Sequence, residues 1–281
     1  MNNPKLTIGM PVYNGELFIE DALKSLLSQS YKNFELIISD NNSTDNTENI
    51  CKKYSLNDQR IKYIKQHKNI GAHENFMFVL KDSETNYFMW AAADDLWDSR
   101  FLEKCMQAID KDHNLGYVFS NIYNINILNK KYREIPSFVK YSGEPSLKKI
   151  YTYLLDAEFN GKANLFYGIY NSSLLKEMIK KLEHQASWGL DMNFNLLTLC
   201  STKTYIIDDI LFYKKRHENI EYFTYKDNIT LRNKFKIHDF LEYYKTSLLF
   251  TYKNKYFPIV FLIMTYRLCE FSFFKIKGFF K

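Results

Sequence analysis

Two adjacent acidic residues, Asp94 and Asp95, follow an apolar run and precede a helical pattern that begins near Ser99. Their carboxylates supply the hard oxygen ligands that Mg²⁺ or Mn²⁺ prefers in proteins. A divalent ion held there together with a diphosphate would neutralise the charge that develops on a departing phosphate group. The alternative is a solvated loop in which an aspartate caps the following helix. The pair by itself leaves both interpretations open.

Polar residues also follow the first two strand-like runs. Tyr13 and Asn14 come after the first run, and Asp40 ends the second, before the polar stretch 41–44. Asp40 can accept hydrogen bonds from a nucleobase or a ribose, although in isolation a polar turn capping the next helix explains it better. In open α/β sheets, ligands bind beyond the carboxyl ends of the strands. Because these polar residues are all expected at that edge of the sheet, a ligand site is favoured over a simple polar turn.

The elements that must position these residues are consecutive βα units, which extend to about residue 120. Short apolar runs alternate with helical spacing, as expected for parallel strands that are buried on both faces. Right-handed crossovers between such strands are almost obligatory. The pattern predicts an α/β fold with a doubly wound, mostly parallel sheet flanked by helices. The predicted strands are 6–12, 34–40, 60–66 and 86–93.

The pattern after residue 120 is less regular and does not define an architecture. A helix is predicted to begin near Asp191, because Met192, Leu196 and Leu197 follow at helical spacing. The other expected elements are strand-like runs over 115–125, 164–172 and 203–216, a helix near 146–157, and helical patterns over roughly 229–250 and 254–280.

Composition excludes several classes of protein. A chain of 281 residues with 46% hydrophobic composition can bury a full core. Its four cysteines are scattered without the spacing of a zinc site or a disulfide framework. The first residues lack the basic and then apolar segments of a signal peptide. We therefore expect a reducing, cytoplasmic setting.

The basic excess lies in the C-terminal segment. Residues 226–281 carry 11 Lys/Arg against 4 Asp/Glu, together with 15 aromatic residues. Such a mixture suits an anionic membrane surface, and no nucleic-acid-binding motif accompanies the charge. The apolar stretch 256–266 would rise about 16 Å as a helix, too short for a bilayer core of about 30 Å. The tail is expected either to lie on the inner face of the cell membrane or to pack on the protein or a partner subunit.

The segment TIGMPVYNGELFIEDALKSLLSQSYKNFELIISDNNSTDNT (7–47) resembles the opening of family-two glycosyltransferases. NIGAHENF (69–76) is similar to the family's NxGxxxARN segment, and MWAAADDLW (89–97) to its DxD region. The resemblance covers about the first 120 residues well and the remainder loosely. It implies a GT-A fold, a nucleotide-diphosphate sugar donor with UDP as the expected nucleotide, a Mn²⁺ or Mg²⁺ ion, and inversion at the anomeric carbon. The implied setting is polysaccharide, lipopolysaccharide or capsule assembly.

The resemblance also implies residue roles. Pro11, Tyr13 and Glu16 match positions near the uridine, and Asp40 matches the acid that contacts the base. The metal ligands it implies are Asp94 and Asp95. The full set of implied nucleotide-sugar contacts is Pro11, Tyr13, Asn14, Glu16, Asp40, Asn42, Asn75, Asp94 and His217.

Two departures from the family's pattern bear on these roles. The family often reads DADD where this chain begins with Ala92, so the first acid is missing and metal binding depends on Asp94 and Asp95. The usual arginine before Asn75 is replaced by Glu74, which removes a guanidinium near the diphosphate.

Asp191 is the candidate general base. An inverting transfer needs a group that removes the proton of the acceptor hydroxyl as the bond to the leaving group breaks. SWGLDMNF (187–194) resembles the family's acidic segment at the start of a helix on the acceptor side, with Leu190 replacing the commoner glutamate. Without the upstream motifs, a helix cap would explain Asp191 better; with them, we favour the base.

Two further residues have less specific signals. His217, in YKKRHENIE (213–221), resembles a family RxH segment and is expected to contact the metal or the diphosphate. An ordinary surface or packed histidine is the alternative, with Lys215 or Arg216 binding phosphate instead. Trp188 is equally consistent with a ring that stacks on an acceptor sugar and with a residue of the hydrophobic core.

These features predict a catalytic domain over 1–225, with a nucleotide-sugar-binding half (1–120) and an acceptor-side half (121–225), followed by a basic helical tail over 226–281. The expected partners are a UDP-sugar and a glycan or lipid-linked glycan hydroxyl, without nucleic acid. One rival is a catalytically degenerate, membrane-associated binding partner, suggested by Ala92 and Leu190. A sugar-nucleotide nucleotidyltransferase is the other rival, but PVYNGELF lacks the Gly-rich phosphate loop it requires.

Overall fold

The computed structural model describes residues 5–126, 132–156, 160–180, 190–216, 237–252 and 254–267. His217 and Trp188 lie outside these residues, as do parts of the helical patterns predicted over 229–250 and 254–280. The described residues group into two compact units. One is drawn from 1–139, 167–176 and 205–216, and the other from 140–166, 177–204 and 217–281.

The first unit contains a parallel arrangement of four strands. They are β1 (Leu6–Val12), β2 (Phe34–Asp40), β3 (Ile61–Lys65) and β4 (Tyr87–Trp90). β1 lies between β2 and β4, and β2 pairs with β3. Every residue of β1 is buried, which explains its unbroken apolar run. The predicted α/β fold with a parallel sheet flanked by helices is confirmed here, and the first two strands have the predicted bounds.

Helices cover this part of the sheet. They are α1 (Ile19–Leu27), α2 (Thr47–Asn57), α3 (Ala72–Lys81) and α4 (Phe101–Lys111). α1 buries Ile19, Ala22, Leu23 and Leu26, which recur at helical spacing in the sequence and form one apolar face.

β4 ends at Trp90, earlier than the predicted 86–93 strand. The last paired register places Trp90 opposite Gly9, and the indole Nε1 donates to the Phe76 carbonyl at 3.0 Å. Beyond it, the backbone N–H of Asp95 donates to the Ala92 carbonyl at 3.4 Å, so the chain turns before the two-residue strand β5 (Leu96–Trp97). This turn carries Asp94 and Asp95.

The remaining strands are β6 (Leu115–Asn126), β7 (Tyr132–Glu134), β8 (Ile169–Asn171) and β9 (Lys203–Arg216). The strand order among the described residues is β3-β2-β1-β4-β8-β6-β9-β5, with β7 beside β6. The pairs β4–β8, β6–β8, β6–β7 and β5–β9 are antiparallel. The sheet is thus parallel on one side of β4 and antiparallel on the other.

The strand predicted over 164–172 is wrong in its first half. Lys162–Tyr167 forms a 3₁₀ helix, and only Ile169–Asn171 is extended. Between them lies Gly168, where an added Cβ would overlap the Tyr117 ring. The chain therefore approaches β6 closely at a glycine.

The second unit is helical over most of its described length. It contains α5 (Leu147–Leu155), α7 (Leu190–Ser201), α8 (Ile237–Thr251) and a helical stretch over 257–267, while α6 (Ser172–Lys180) joins the two units in the chain. Tyr256 donates to the Pro145 carbonyl at 2.5 Å, and Ser247 donates to Asn193 Oδ1 at 2.5 Å. The described part of the tail therefore packs within this unit. None of the described helices is long and apolar enough to cross a membrane.

Candidate functional site

Two loops at the carboxyl ends of β1 and β2 are hydrogen-bonded to each other. We call them the β1 loop (13–18) and the β2 loop (41–46). The backbone N–H of Asn14 donates to Ser43 Oγ at 3.0 Å, and the N–H of Thr44 donates back to Asn14 Oδ1 at 2.9 Å. Asn14 and Asn42 adopt left-handed backbone conformations, with φ of 51° and 61°. Asparagine tolerates this region better than most residues, so both loops can turn sharply.

A second reciprocal pair strengthens the contact between these loops. The N–H of Glu16 donates to Asp45 Oδ2 at 3.0 Å, and the N–H of Asn46 donates to Glu16 Oε2 at 2.8 Å. Asn14 and Glu16 thus use side-chain oxygens to hold the loops together. Tyr13 is different, because its side chain is 49% exposed beside them.

Asp40 is fully buried at the end of β2. Its Oδ1 accepts from the N–H of Ser43 at 2.8 Å, and its Oδ2 accepts from the Tyr63 hydroxyl at 2.8 Å. The first of these bonds is the local turn contact considered as an alternative role for Asp40. Burial, and then the hydrogen bond to Asp40, raises the pKa of Tyr63 well above its ordinary value. Pro11 lies within β1, also buried, and pairs with Ser39 in the strand register.

Asn75 is buried inside the first unit. Its Oδ1 accepts from Ser39 Oγ at 2.6 Å, and its Nδ2 donates to the Ser39 carbonyl at 2.9 Å. Gln66 Nε2 donates to the same Ser39 Oγ at 3.0 Å. Asn75 therefore fixes α3 to β2, and this geometry argues for positioning of the β2 loop instead of direct contact with a ligand. The adjacent Glu74 is exposed.

The Asp94 turn (91–95) lies beside the β1 loop. A Cβ added at Gly15 would be 3.9 Å from the Cβ of Ala93. The carboxyl ends of β1, β2 and β4 therefore bring Tyr13, the two hydrogen-bonded loops and Asp94 to one edge of the sheet. This is the grouping that the sequence predicted for the first unit.

The two aspartates of the turn have different surroundings. Asp94 is half-buried, whereas Asp95 is fully buried. Asp95 Oδ2 accepts from Lys214 Nζ at 2.9 Å, and Oδ1 accepts from the backbone N–H of Lys215 at 3.1 Å. Burial raises the pKa of Asp95 to about 6, although the adjacent Lys214 ammonium acts in the opposite direction.

This geometry argues against Asp95 as a direct metal ligand, because both of its oxygens already bind groups on β9. The described residues contain no group of three or more His, Cys, Asp or Glu side chains that could hold a metal ion. A Mg²⁺- or Mn²⁺-type site often uses only one or two carboxylates, with water and substrate phosphates completing the shell. Asp94 fits that arrangement.

Asp191 belongs to the second unit, where it occupies the first turn of α7. Its Oδ1 accepts from the N–H of Met192 at 2.7 Å, and the Met192 carbonyl accepts from the Tyr153 hydroxyl at 2.8 Å. Burial raises the pKa of Asp191, while these backbone N–H groups oppose the shift. A raised pKa suits a group that must accept a proton near neutral pH.

Sequence reasoning missed Lys214 as the partner of Asp95. Its ammonium also lies 5.4 Å from the centre of the Tyr167 ring. The next residue, Lys215, donates from Nζ to Asp21 on α1 at 2.9 Å. The sequence shows Lys214 and Lys215 side by side at the end of an apolar strand, but this pattern does not specify which acidic residues they bind.

Comparison with known proteins identifies relatives of the chain. The sequence model of the family described as Glycosyl transferase family 2 matches residues 7–187. The putative glycosyltransferase EpsE of Bacillus subtilis is 36% identical over 118 residues, which is 42% of this chain and 42% of that protein. A Campylobacter jejuni protein named GalNAc(5)-diNAcBac-PP-undecaprenol beta-1,3-glucosyltransferase is 29% identical over 176 residues, or 62% of this chain and 53% of that protein.

Solved structures share the fold at low sequence identity. Staphylococcus aureus TarS 1–349 has a TM-score of 0.62 at 17% identity, covering 98% of this chain and 91% of that one. A mannosyltransferase from Pyrobaculum calidifontis, solved with GDP-Man and Mn²⁺, has a TM-score of 0.58 at 14% identity, covering 98% and 74%. These likenesses confirm the predicted GT-A fold. The matched segments span about half or less of these two curated relatives' length.

Proposed function

Because the chain belongs to glycosyl transferase family 2, we propose that it transfers a sugar from a nucleotide-diphosphate sugar to a hydroxyl group of a glycan or lipid-linked glycan. The observation that carries this proposal is the meeting of the β1 loop, the β2 loop and the Asp94 turn at one sheet edge. In the proposed complex, Asp40 contacts the base, the exposed Tyr13 ring lies against it, and Asp94 faces the diphosphate.

The proposed reaction is a single displacement with inversion. The acceptor oxygen forms a bond to the anomeric carbon while the bond from that carbon to the diphosphate oxygen breaks, and the electron pair leaves with the diphosphate. Asp191 accepts the proton of the attacking hydroxyl. Support comes from its raised pKa and from the Met192 N–H, which fixes one carboxylate oxygen.

A bound Mn²⁺ or Mg²⁺ would supply positive charge that stabilises the departing diphosphate. Asp94 is the proposed protein ligand, and the Asp95–Lys214 pair holds the Asp94 turn in place. His217 remains a proposed contact of the metal or the diphosphate. We propose that the other predicted residues shape the nucleotide-sugar pocket by holding the two loops and the strands that carry them. These residues are Pro11, Asn14, Glu16, Asn42 and Asn75.

UDP is the first nucleotide to test, because one of the TarS structures that share this fold was solved with UDP-GlcNAc. The name of the Campylobacter jejuni relative contains an undecaprenol-linked glycan, which supports a lipid-linked acceptor and polysaccharide assembly for this chain. We further propose a catalytic domain over 1–225 and a tail over 226–281 that lies on the inner face of the cell membrane.

The proposal is tested by calorimetric titration of UDP and GDP into the purified protein, with Mn²⁺ and with a chelator. Metal-dependent binding of UDP is the expected result, followed by turnover of a UDP-sugar. A preference for GDP would redirect the choice of donor. Failure of both nucleotides to bind would overturn the assignment of the loop edge as a nucleotide-sugar site.

A degenerate, non-catalytic binding partner is the rival function, favoured by Ala92 in place of the family's first acid and by Leu190 before Asp191. Such a protein would keep nucleotide affinity but show no metal-dependent hydrolysis or transfer of the donor sugar. Donor turnover therefore separates the two functions directly.

A further inference from the structure

The helical stretch over 257–267 has two apolar faces. One face packs within the second unit: Tyr256, just before it, and Val260, Ile263 and Met264 are all buried. On the opposite face, Phe261 is 43% exposed, Leu262 63% and Tyr266 61%. A surface helix normally presents polar or charged residues to water, so this second face is unusual.

An aromatic cluster continues the exposed face towards the preceding turn. The Phe257 ring lies 5.5 Å from the Tyr252 ring and 6.1 Å from the Phe261 ring, centre to centre. Tyr252 is 68% exposed. Residues 256–266 contain no charged side chain. We call Tyr252, Phe257, Phe261, Leu262 and Tyr266 the aromatic face.

In the sequence, the charges of the segment that carries this face are almost all positive. Residues 251–281 hold six Lys/Arg against one Asp/Glu. Lys255 is exposed, with its ammonium 5.1 Å from the centre of the Tyr256 ring, next to the start of the helical stretch. Apolar rings bordered by cations match the two layers of an anionic bilayer surface, acyl chains below and phosphates above. Tyrosine also suits this boundary, since its ring is apolar and its hydroxyl is polar.

A second copy of the chain is a poorer occupant. A symmetric contact through the aromatic face would bring the exposed Lys255 of one copy towards the same basic segment of the other, which electrostatic repulsion disfavours. The described helical residues, 257–267, rise only about 16 Å, so this part of the chain would lie in the membrane plane without spanning it.

We propose that the aromatic face inserts into the interfacial layer of an anionic membrane and holds the second unit at the membrane surface. This inference rests on the proposed function, because a lipid-linked acceptor would be presented to the protein at the membrane surface. Its test does not depend on catalysis.

The experiment measures co-sedimentation of the full chain with vesicles of phosphatidylglycerol and phosphatidylcholine, and with vesicles of phosphatidylcholine alone. Leu262→Glu should lower the partition coefficient for the anionic vesicles by about tenfold or more, because it removes one inserted side chain and adds a negative charge. Leu56→Glu is the matched control, since Leu56 on α2 is 86% exposed but lies in the first unit. That variant should bind vesicles like the unmodified protein.

Three results would overturn the proposal: no vesicle binding by the unmodified protein, equal loss in both variants, or a dimer in vesicle-free solution that only Leu262→Glu dissociates. The last result would assign the aromatic face to a second copy. UDP titration of Leu262→Glu in parallel separates this inference from the proposed function. If Leu262→Glu loses vesicle binding and keeps the UDP affinity of the unmodified protein, both proposals are supported. If Leu262→Glu loses vesicle binding but the unmodified protein does not bind UDP, the proposed function alone is overturned.

Discussion

Asp94 and Asp95 are neighbours in the chain, yet their carboxylates are in different environments. A fully buried carboxylate needs a compensating charge and hydrogen bonds, and Asp95 obtains both from β9. The partly exposed Asp94 is left as the acid of this turn that fits a metal and a diphosphate. Lys214 is 119 residues away from Asp95 in sequence, so the division of roles could not be read from the DD pattern.

Replacing Lys214 tests this division. Lys214→Met should lower the free energy of unfolding by roughly 3–5 kcal/mol, because Asp95 would stay buried without its partner. Urea denaturation measures the change. Lys62→Met is the control, since Lys62 forms an exposed ion pair with Asp82 at 2.7 Å and should cost no more than about 1 kcal/mol. Equal, small losses in both variants would show that Asp95 does not need Lys214.

Asp191 can be tested separately from nucleotide binding. Asp191→Asn should lower kcat by about 10²–10⁴-fold and leave UDP affinity unchanged, because the amide cannot accept the proton of the acceptor hydroxyl. If the unmodified protein catalyses the proposed transfer, its kcat/KM should fall as the pH drops through the pKa of Asp191, which burial raises above its ordinary 3.8. Steady-state kinetics across pH measure both effects. Full activity in Asp191→Asn would rule out its role as the base.

At the scale of elements, hydrophobic patterning located β1, β2, α1 and the start of α7 because burial alone decides them. It failed over 164–172, where a strand was predicted. There the residues up to Tyr167 form a 3₁₀ helix, and the chain passes close to the Tyr117 ring at Gly168. Patterning likewise showed which loops meet at the sheet edge, but not which of their side chains would be used to hold the loops together.

Asn75 is an example of such a holding residue. Asn75→Ala should destabilise the protein by about 1–3 kcal/mol, because buried groups of Ser39 would lose their partner. Weaker UDP binding should accompany this loss, since Ser39 precedes Asp40 on β2. Asn57→Ala at the exposed end of α2, away from the β2 loop, is the control and should stay within about 0.5 kcal/mol. Thermal unfolding and UDP titration of both variants provide the comparison; weaker UDP binding with unchanged stability would instead indicate direct contact with the nucleotide.

At the scale of the whole molecule, two compact units divide the predicted chemistry: the nucleotide edge lies in one and the candidate base in the other. The chain crosses between the units several times. The tail contributes helices to the second unit through contacts such as Tyr256 with Pro145. Charge counting identified the tail as basic, but it could not reveal that one of its apolar faces would be buried.

Stability of the whole molecule should depend on pH through Lys149, which is only 3% exposed in the second unit. Burial lowers the pKa of Lys149 from 10.5 to about 8, so between these values the unfolded chain binds more protons than the folded one. Unfolding free energy should therefore rise with pH across this range, by up to roughly 3 kcal/mol. Urea denaturation of the unmodified protein and of Lys149→Met at several pH values isolates the contribution of Lys149 to the unfolding free energy, because other titrating groups affect both proteins equally. A constant difference between the two proteins would mean that the Gly143 carbonyl and Thr204 Oγ1, both within 3.1 Å of the ammonium, fully offset its burial.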